Sequence, residues 1–134
     1  MSKSQRILFV CLHGAAKSVL AAADCERLAA SRGLRIKADF TGTEPDADIA
    51  PAVAAALRAD GVDLGGKKPR LVTPQDVAAA DRVVAFGCEL GGAAAAGARV
   101  DQWTDVPAVS EGLPAARAAI RARLERLLDE WKTP

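Results

Sequence analysis

The sequence predicts an α/β fold, a three-layer sandwich in which helices flank a four-stranded, mostly parallel sheet. Short apolar runs of strand length alternate along the chain with longer alanine- and leucine-rich segments that have helical periodicity. This alternation of strands and helices is typical of parallel sheets. At 134 residues the chain is the size of one domain with one core, which we expect to span residues 1–134.

The first strand is predicted over residues 6–11, whose nearly continuous apolar run is typical of a strand buried on both faces. An alanine-rich helix follows over residues 18–31, and Gly33 is its stop signal. Residues 36–41 alternate in polarity, which predicts a second strand at an edge or with one wet face. The later elements are predicted as a helix over residues 49–60, a short capped helix beginning at residues 73–76, strands over residues 82–86 and 99–103, and a last helix from about residue 112 to residue 131.

Ligands of parallel sheets bind beyond the carboxyl ends of the strands. In this chain the rule points to the loops that begin at Cys11, Thr41, Cys88 and Trp103. The glycine- and alanine-rich residues 91–97 are predicted to form a flexible loop.

The charge balance gives no reason to expect nucleic acid or an anionic membrane surface as a partner, since 18 Lys and Arg oppose 17 Asp and Glu. No apolar run approaches the roughly 20 residues that span a bilayer. The 3 cysteines are widely spaced and predict neither a metal cluster nor a disulfide framework, which favours a reducing, cytoplasmic setting. We expect no metal, no tightly bound cofactor, and a monomer or weak dimer.

The loop after the first strand carries the chemistry. Its small residues can turn several backbone N–H groups inward, and the helix dipole adds positive potential, so the loop favours a tetrahedral oxyanion. A cysteine in such a loop is favoured as a thiolate nucleophile, which makes Cys11 the candidate. The predicted oxyanion-binding residues are Leu12, His13, Gly14, Ala15, Ala16, Lys17 and Ser18. The alternative is that Cys11 is a buried strand-end residue followed by an ordinary turn.

This loop resembles the phosphate-binding loop of the low-molecular-weight protein tyrosine phosphatase superfamily, whose signature is Cys, five residues, Arg and Ser. The arsenate reductases of that fold share the loop. Four further segments resemble the family in the same order, namely residues 41–45, residues 61–64 with 69–70, residues 80–84 and residues 103–107. The resemblance implies a low-molecular-weight phosphatase-like fold over nearly the whole chain.

Two departures from the family pattern concern the site. Lys17 replaces the signature arginine, and an ammonium is a point charge where a guanidinium offers a planar fork. The family acid directly precedes proline, whereas here Val106 separates Asp105 from Pro107. Asp105 is the predicted general acid and Asp101 the reserve, and the alternative for Asp105 is a turn or capping role.

Cys88 distinguishes the two activities that the resemblance implies. Arsenate reductases similar to this chain end the corresponding strand with Val-Val-x-x-Gly-Cys, which residues 83–88 match. Such a reductase needs a second thiol to resolve the arseno-cysteine, whereas a phosphatase needs an acid and water. Residues 89–97 hold no further cysteine, so the final reductant is expected to be an external thiol or a thioredoxin- or glutaredoxin-type protein. The alternative is that Cys88 is simply a buried, small residue.

The leading hypothesis is therefore a thiol-dependent arsenate reductase with Cys11 as nucleophile, Lys17 as oxyanion ligand, Asp105 as acid and Cys88 as resolving thiol. The first alternative is a phosphomonoesterase that works through a phosphocysteine, with arsenate replaced by a phosphate ester as the small oxyanion substrate. The second is a non-catalytic oxyanion-binding relative.

Other residues receive structural interpretations. Cys25 is assigned to packing, and the lone His13 to hydrogen bonding within the loop. Trp103 is either an aromatic wall for a phenyl ring or a residue that packs against the last helix. A basic patch of Lys67, Lys68 and Arg70 is a solvated loop or a contact for an acidic partner.

Overall fold

The computed structural model describes residues 5–90 and 100–131. Its strands are β1 (Gln5–Cys11), β2 (Ile36–Gly42), β3 (Arg82–Ala85) and β4 (Val100–Gln102). Its helices are α1 (Lys17–Ser31), α2 (Pro51–Ala59), α3 (Pro74–Ala79) and α4 (Leu113–Trp131), with a 3-10 turn at Val109–Glu111. The flexible loop predicted at residues 91–97 lies outside the described residues.

The four strands form one sheet in the order β2-β1-β3-β4, and every described pairing is parallel. The predicted α/β fold is confirmed, and the sheet is parallel throughout rather than mostly so. β1 lies between two neighbours, and its residues 7–11 are all buried, as expected for a strand covered on both faces. In the register of β1 and β2, Cys11 lies opposite Gly42, at the carboxyl edge of the sheet.

Two layers of apolar side chains cover the sheet. On one face α1, α2 and α4 pack against β1 through a cluster that includes Phe9 and Leu20. The predicted apolar stripe of α4 belongs to this cluster, and its members Ile120 and Leu124 are fully buried. On the other face Val77 of the short helix α3 packs over β1 and β3. No described helix combines the length and apolar character that a bilayer crossing requires.

Element boundaries differ from the predictions by at most two residues, and the two-residue difference is at the start of α2. The predicted helix over residues 49–60 begins only at Pro51, because the residue before a proline avoids helical geometry and Ala50 is extended there. Thr73 caps α3 by accepting from the N–H of Asp76, and the Asp76 carboxylate accepts from the N–H of Thr73 in return. The strands predicted over residues 82–86 and 99–103 each end one residue earlier in the structure, and residue 99 lies outside the described residues.

Candidate active site

The loop at residues 12–16 is held from outside by the segment that follows β2. Four backbone N–H groups within residues 43–50 donate to the carbonyl oxygens of residues 11, 12, 13 and 15, over 2.7 to 3.3 Å. With the carbonyl groups turned outward, the N–H groups of residues 12–16 donate to no residue in the described part of the chain. Unpaired N–H groups in a tight loop form a site for an anion.

Two glycines bring the loop against β2. Gly14 has a φ of +60°, and a Cβ on it would lie 2.8 Å from the backbone nitrogen of Gly42. A Cβ on Gly42 would in turn lie 2.5 Å from the backbone nitrogen of Gly14. Neither position accepts a side chain unless the backbone moves, so Gly42 shapes the loop from a neighbouring strand.

Cys11 lies at the base of the loop and contacts Ser18. Its Sγ is 3.0 Å from the Ser18 Oγ, and both residues are buried. The hydroxyl is placed to donate to the thiolate. No side chain caps the N-terminus of α1, where Ala16 is the capping residue, so the N–H groups of its first turn have no side-chain acceptor there and are available to an anion.

Lys17 is the first residue of α1 and is half-buried. None of the ion pairs between described residues includes Lys17. A cation next to the loop without a carboxylate partner is available to an oxyanion.

Cys88 lies at the same edge of the sheet, in the turn that follows β3. It is buried, and its Sγ is 3.5 Å from the carbonyl oxygen of Val10, the residue before Cys11. Burial and then the negative charge of Cys11 raise the pKa of the Cys88 thiol, whereas Lys17 lowers it to a smaller extent. Cys11 and Cys88 therefore lie at the same edge of the sheet, with Cys11 packed in the core cluster of the α1 face and Cys88 in that of the α3 face.

The Asp105 side chain lies at the surface of the protein. Its side chain is 61% exposed, and Arg123 donates to its Oδ1 from Nε and Nη2, at 3.1 and 2.9 Å. These hydrogen bonds hold the pKa of the Asp105 carboxyl below its usual range. The reserve candidate, Asp101, lies on β4 with its Oδ2 3.6 Å from the Nε of Arg82. Among the described residues, no hydrogen bond joins Asp105 to the loop of residues 12–16.

His13 points to the outside of the loop. Its Nδ1 is 3.2 Å from the Glu44 carbonyl oxygen and 3.3 Å from an Asp46 carboxylate oxygen. It ties the loop to the segment after β2, while its backbone N–H remains one of those available to an anion.

Cys25 and Trp103 belong to the core. Burial raises the pKa of Cys25 to about 12, which leaves the thiol unreactive at neutral pH. Trp103 is buried, with its ring centroid 6.0 Å from that of Phe9 and 5.7 Å from that of Phe86. It packs in the interior and provides no exposed wall for a phenyl ring.

The basic patch is largely neutralised. Lys68 lies 3.0 Å from Asp48, and Arg70 donates to both Asp39 and Asp76 at 2.8 Å. These pairs favour the solvated-loop interpretation over a contact for an acidic partner.

The fold and the site define a class of protein: an α/β domain with a nucleophilic cysteine at the end of its first strand, enclosed in an oxyanion-binding loop. Residues 6–102 match the model of the low molecular weight phosphotyrosine protein phosphatase family, and the chain belongs to that family. Its members are cysteine-dependent enzymes, either phosphatases or arsenate reductases.

Solved structures of both kinds are similar to this chain. YfkJ from Bacillus subtilis is 25% identical over 98% of this chain and 99% of its own, with a TM-score of 0.81. An arsenate reductase from Archaeoglobus fulgidus is 25% identical over 92% and 98%, with a TM-score of 0.74. A low molecular weight phosphotyrosine phosphatase from Vibrio cholerae is 18% identical over 96% and 97%, with a TM-score of 0.77, and so supports the fold alone. No curated protein sequence matches the chain.

Proposed function

We propose that this protein is a thiol-dependent arsenate reductase in which Cys11 is the nucleophile and Cys88 resolves the adduct. The observation that carries the proposal is the juxtaposition of two thiols at one edge of the sheet. The Cys88 Sγ lies beside the carbonyl group that precedes Cys11, and the charge of Cys11 acts on the Cys88 thiol. A phosphatase has no use for the second thiol, whereas a reductase requires one.

In the first step the Cys11 thiolate attacks the arsenic atom of arsenate. A sulfur–arsenic bond forms, and one arsenic–oxygen bond breaks, with the oxygen leaving as water once it is protonated. The N–H groups of residues 12–16 and the Lys17 ammonium bind the remaining oxygens. Asp105 stays the predicted acid for the leaving oxygen, although its hydrogen bonds from Arg123 favour the ionised form.

In the second step the Cys88 thiolate attacks the Sγ of Cys11. A disulfide forms, the sulfur–arsenic bond breaks, and its electron pair passes to arsenic, which is reduced from As(V) to As(III) and leaves as arsenite. The two cysteines are oxidised by two electrons in total. An external thiol, either a small molecule or a thioredoxin- or glutaredoxin-type protein, reduces the disulfide and completes the cycle.

The electrostatics of the two thiols favour this order. In the resting site, burial and the charge of Cys11 keep the pKa of Cys88 high, so Cys88 stays protonated. Once the Cys11 sulfur is bonded to arsenic, that thiolate charge is gone. Cys88 then ionises more readily, and its attack follows the first step instead of competing with it.

Hydrolysis of phosphomonoesters is the second candidate, favoured by the family to which the chain belongs. The same loop would bind a phosphate ester, and Cys11 would form a phosphocysteine. The leaving group then needs a protonated acid. The lowered pKa of Asp105 affects both candidates equally, because Asp105 is the predicted acid in each. The buried position of Trp103 fits hydrolysis of an aryl ester less well, since the ring is not exposed to stack against a phenyl group.

Two assays on three proteins separate the candidates. We would measure arsenite release in the presence of a dithiol, and hydrolysis of an aryl phosphate, for the wild type, Cys88→Ala and the matched control Cys25→Ala. The proposal predicts that Cys88→Ala abolishes arsenite release and that Cys25→Ala retains it. Aryl phosphate hydrolysis without arsenite release in the wild type would contradict the proposal and favour the phosphatase.

A further inference from the structure

A side chain from the neighbouring strand clamps the turn that carries Cys88. Gln102, the last residue of β4, accepts with Oε1 from the N–H of Gly87 at 3.1 Å. Its Nε2 donates to the carbonyl oxygen of Cys88 at 3.0 Å. The Gln102 amide therefore forms two hydrogen bonds, one through its oxygen and one through its nitrogen, to the backbones of the consecutive residues 87 and 88.

The two Gln102 hydrogen bonds act on a flexible part of the backbone. β3 ends at Ala85, and Gly87 follows it with a φ of +72°, a conformation that glycine adopts easily but also leaves easily. The orientation of this turn decides where the Cys88 Sγ lies, and in the structure the sulfur is directed to the carbonyl oxygen of Val10. A turn free to rotate would spend part of its time with the sulfur elsewhere.

We propose that Gln102 is a positioning residue for the resolving thiol: its amide holds the turn that directs the Cys88 sulfur to the carbonyl group preceding Cys11. This inference rests on the proposed role of Cys88 as the thiol that attacks Cys11. Gln102 itself touches neither sulfur, and it acts through the backbone of residues 87 and 88.

The sheet does not depend on the Gln102 side chain. β3 and β4 pair through their backbones in a register that places Gln102 opposite Ala85, and the N–H of Trp103 donates to the Ala85 carbonyl at 2.8 Å. The side chain of Gln102 lies on the exposed surface. Replacing it should leave the fold intact and release only the turn.

The test uses Gln102→Met, which keeps the length of the side chain and removes both hydrogen bonds. Gln75→Met is the matched control, because Gln75 is an exposed glutamine of α3. Each protein is equilibrated in glutathione redox buffers, in which oxidised glutathione takes two electrons and two protons from the thiol pair and yields two reduced glutathiones. The fraction of Cys11–Cys88 disulfide gives the effective concentration of one thiol at the other.

The expected result is that Gln102→Met lowers this effective concentration about tenfold, and that Gln75→Met stays within about twofold of the wild type. Alkylation of Cys88 by iodoacetamide should become faster in Gln102→Met, with alkylation of Cys11 and the unfolding midpoint unchanged. A merely structural role would move the unfolding midpoint and would not affect the two cysteines differently.

Two outcomes would overturn the inference. One is an effective concentration in Gln102→Met equal to that of the wild type, and the other is a wild type that forms no Cys11–Cys88 disulfide in any buffer. Failure of the proposed function has a different signature: the disulfide forms in glutathione buffers and responds to Gln102→Met, yet arsenate produces neither disulfide nor arsenite.

Discussion

At the scale of single residues, Lys17 is where the chain departs from the family signature. The ammonium at the start of α1 adds charge to the site but lacks the paired donors with which a guanidinium holds two oxygens of one anion. The N–H groups of residues 12–16 therefore supply most of the directed hydrogen bonds to the anion, and Lys17 supplies positive electrostatic potential.

Lys17→Arg tests whether residue 17 contributes charge alone while the loop N–H groups contribute the directed hydrogen bonds. We expect it to tighten arsenate binding about tenfold, because two directed hydrogen bonds replace one point contact. Arsenate protection of Cys11 against alkylation measures the affinity, and Lys37→Arg on the exposed side of β2 is the control. Weaker binding in Lys17→Arg would show that the loop is built around the ammonium. If the wild type is inactive and Lys17→Arg is active in both assays, the non-catalytic relative becomes the better description of the wild type.

Cys88 offers a second test at this scale, through its dependence on pH. Burial, and after it the negative charge of Cys11, raise the pKa of Cys88. Cys11→Ser removes the charge but not the burial, so the pKa of Cys88 should fall and its alkylation should begin at a lower pH. Alkylation rates across pH 7 to 10 measure the shift.

Cys25 is the internal control of that experiment, since its pKa of about 12 should keep it unreactive over the same range. An identical pH profile for Cys88 in the wild type and Cys11→Ser would mean that the two thiols do not interact.

At the scale of elements, the site depends on the approach of two backbones, the loop of residues 12–16 and the end of β2. Gly14→Ala should lower the free energy of unfolding by about 3 kcal/mol and abolish arsenate binding, because the new Cβ meets the backbone of Gly42. Denaturant unfolding and arsenate protection measure the two effects.

Gly65→Ala is the matched control for the backbone conformation, with a φ of +58° against +60° at Gly14 and open space around it. It should cost only the left-handed strain, about 1 kcal/mol, and leave binding unchanged. Equal losses at the two glycines would mean that the close approach to Gly42 does not matter.

The elements also show what a sequence reveals and what it does not. The apolar pattern of β1 and the periodicity of α4 are local signals, and both predictions are confirmed. The roles of Gly42 and Gln102 are not local, since each acts on a segment distant in the chain, and no spacing within their own strands reveals the partner. The late start of α2 was foreseeable from Pro51 alone.

At the scale of the whole molecule, one buried carboxylate joins α1, α2 and α4, the helices that cover one face of the sheet. Asp24 of α1 is 4% exposed, and Arg117 of α4 donates to both of its oxygens, at 3.0 and 2.8 Å. Arg117 also pairs with Asp60, which follows α2. The pairing fixes α1, whose N-terminus faces the oxyanion site, relative to the rest of the layer.

Arg117→Met should lower the free energy of unfolding by about 3 kcal/mol, because it leaves the Asp24 carboxylate buried without its main partner. The double variant Asp24→Leu with Arg117→Met should regain at least half of that loss. Arg32→Met is the control, since its ion pair with the exposed Asp129 is expected to contribute less than about 1 kcal/mol. A double variant less stable than Arg117→Met would show that packing, and not the charge, accounts for the loss.

The positions of the site residues within the whole molecule were only partly predictable from the sequence. The order of strands and helices places Cys11 and Cys88 at one edge of a parallel sheet, and the structure has them there. The surroundings of Asp105 did not follow from its position two residues before Pro107, because Arg123, which donates to it, lies 18 residues further along the chain, on α4. Long-range ion pairs of this kind depend on packing that a pattern does not contain.

The proposed attack of Cys88 on an arsenic adduct of Cys11 can be observed in a single turnover. Fully reduced protein is mixed with one equivalent of arsenate without added reductant, and the disulfide is located by peptide mass alongside a count of free thiols. We expect a Cys11–Cys88 disulfide, with Cys25 as the one free thiol and one equivalent of arsenite released. Three free thiols and no arsenite would contradict it.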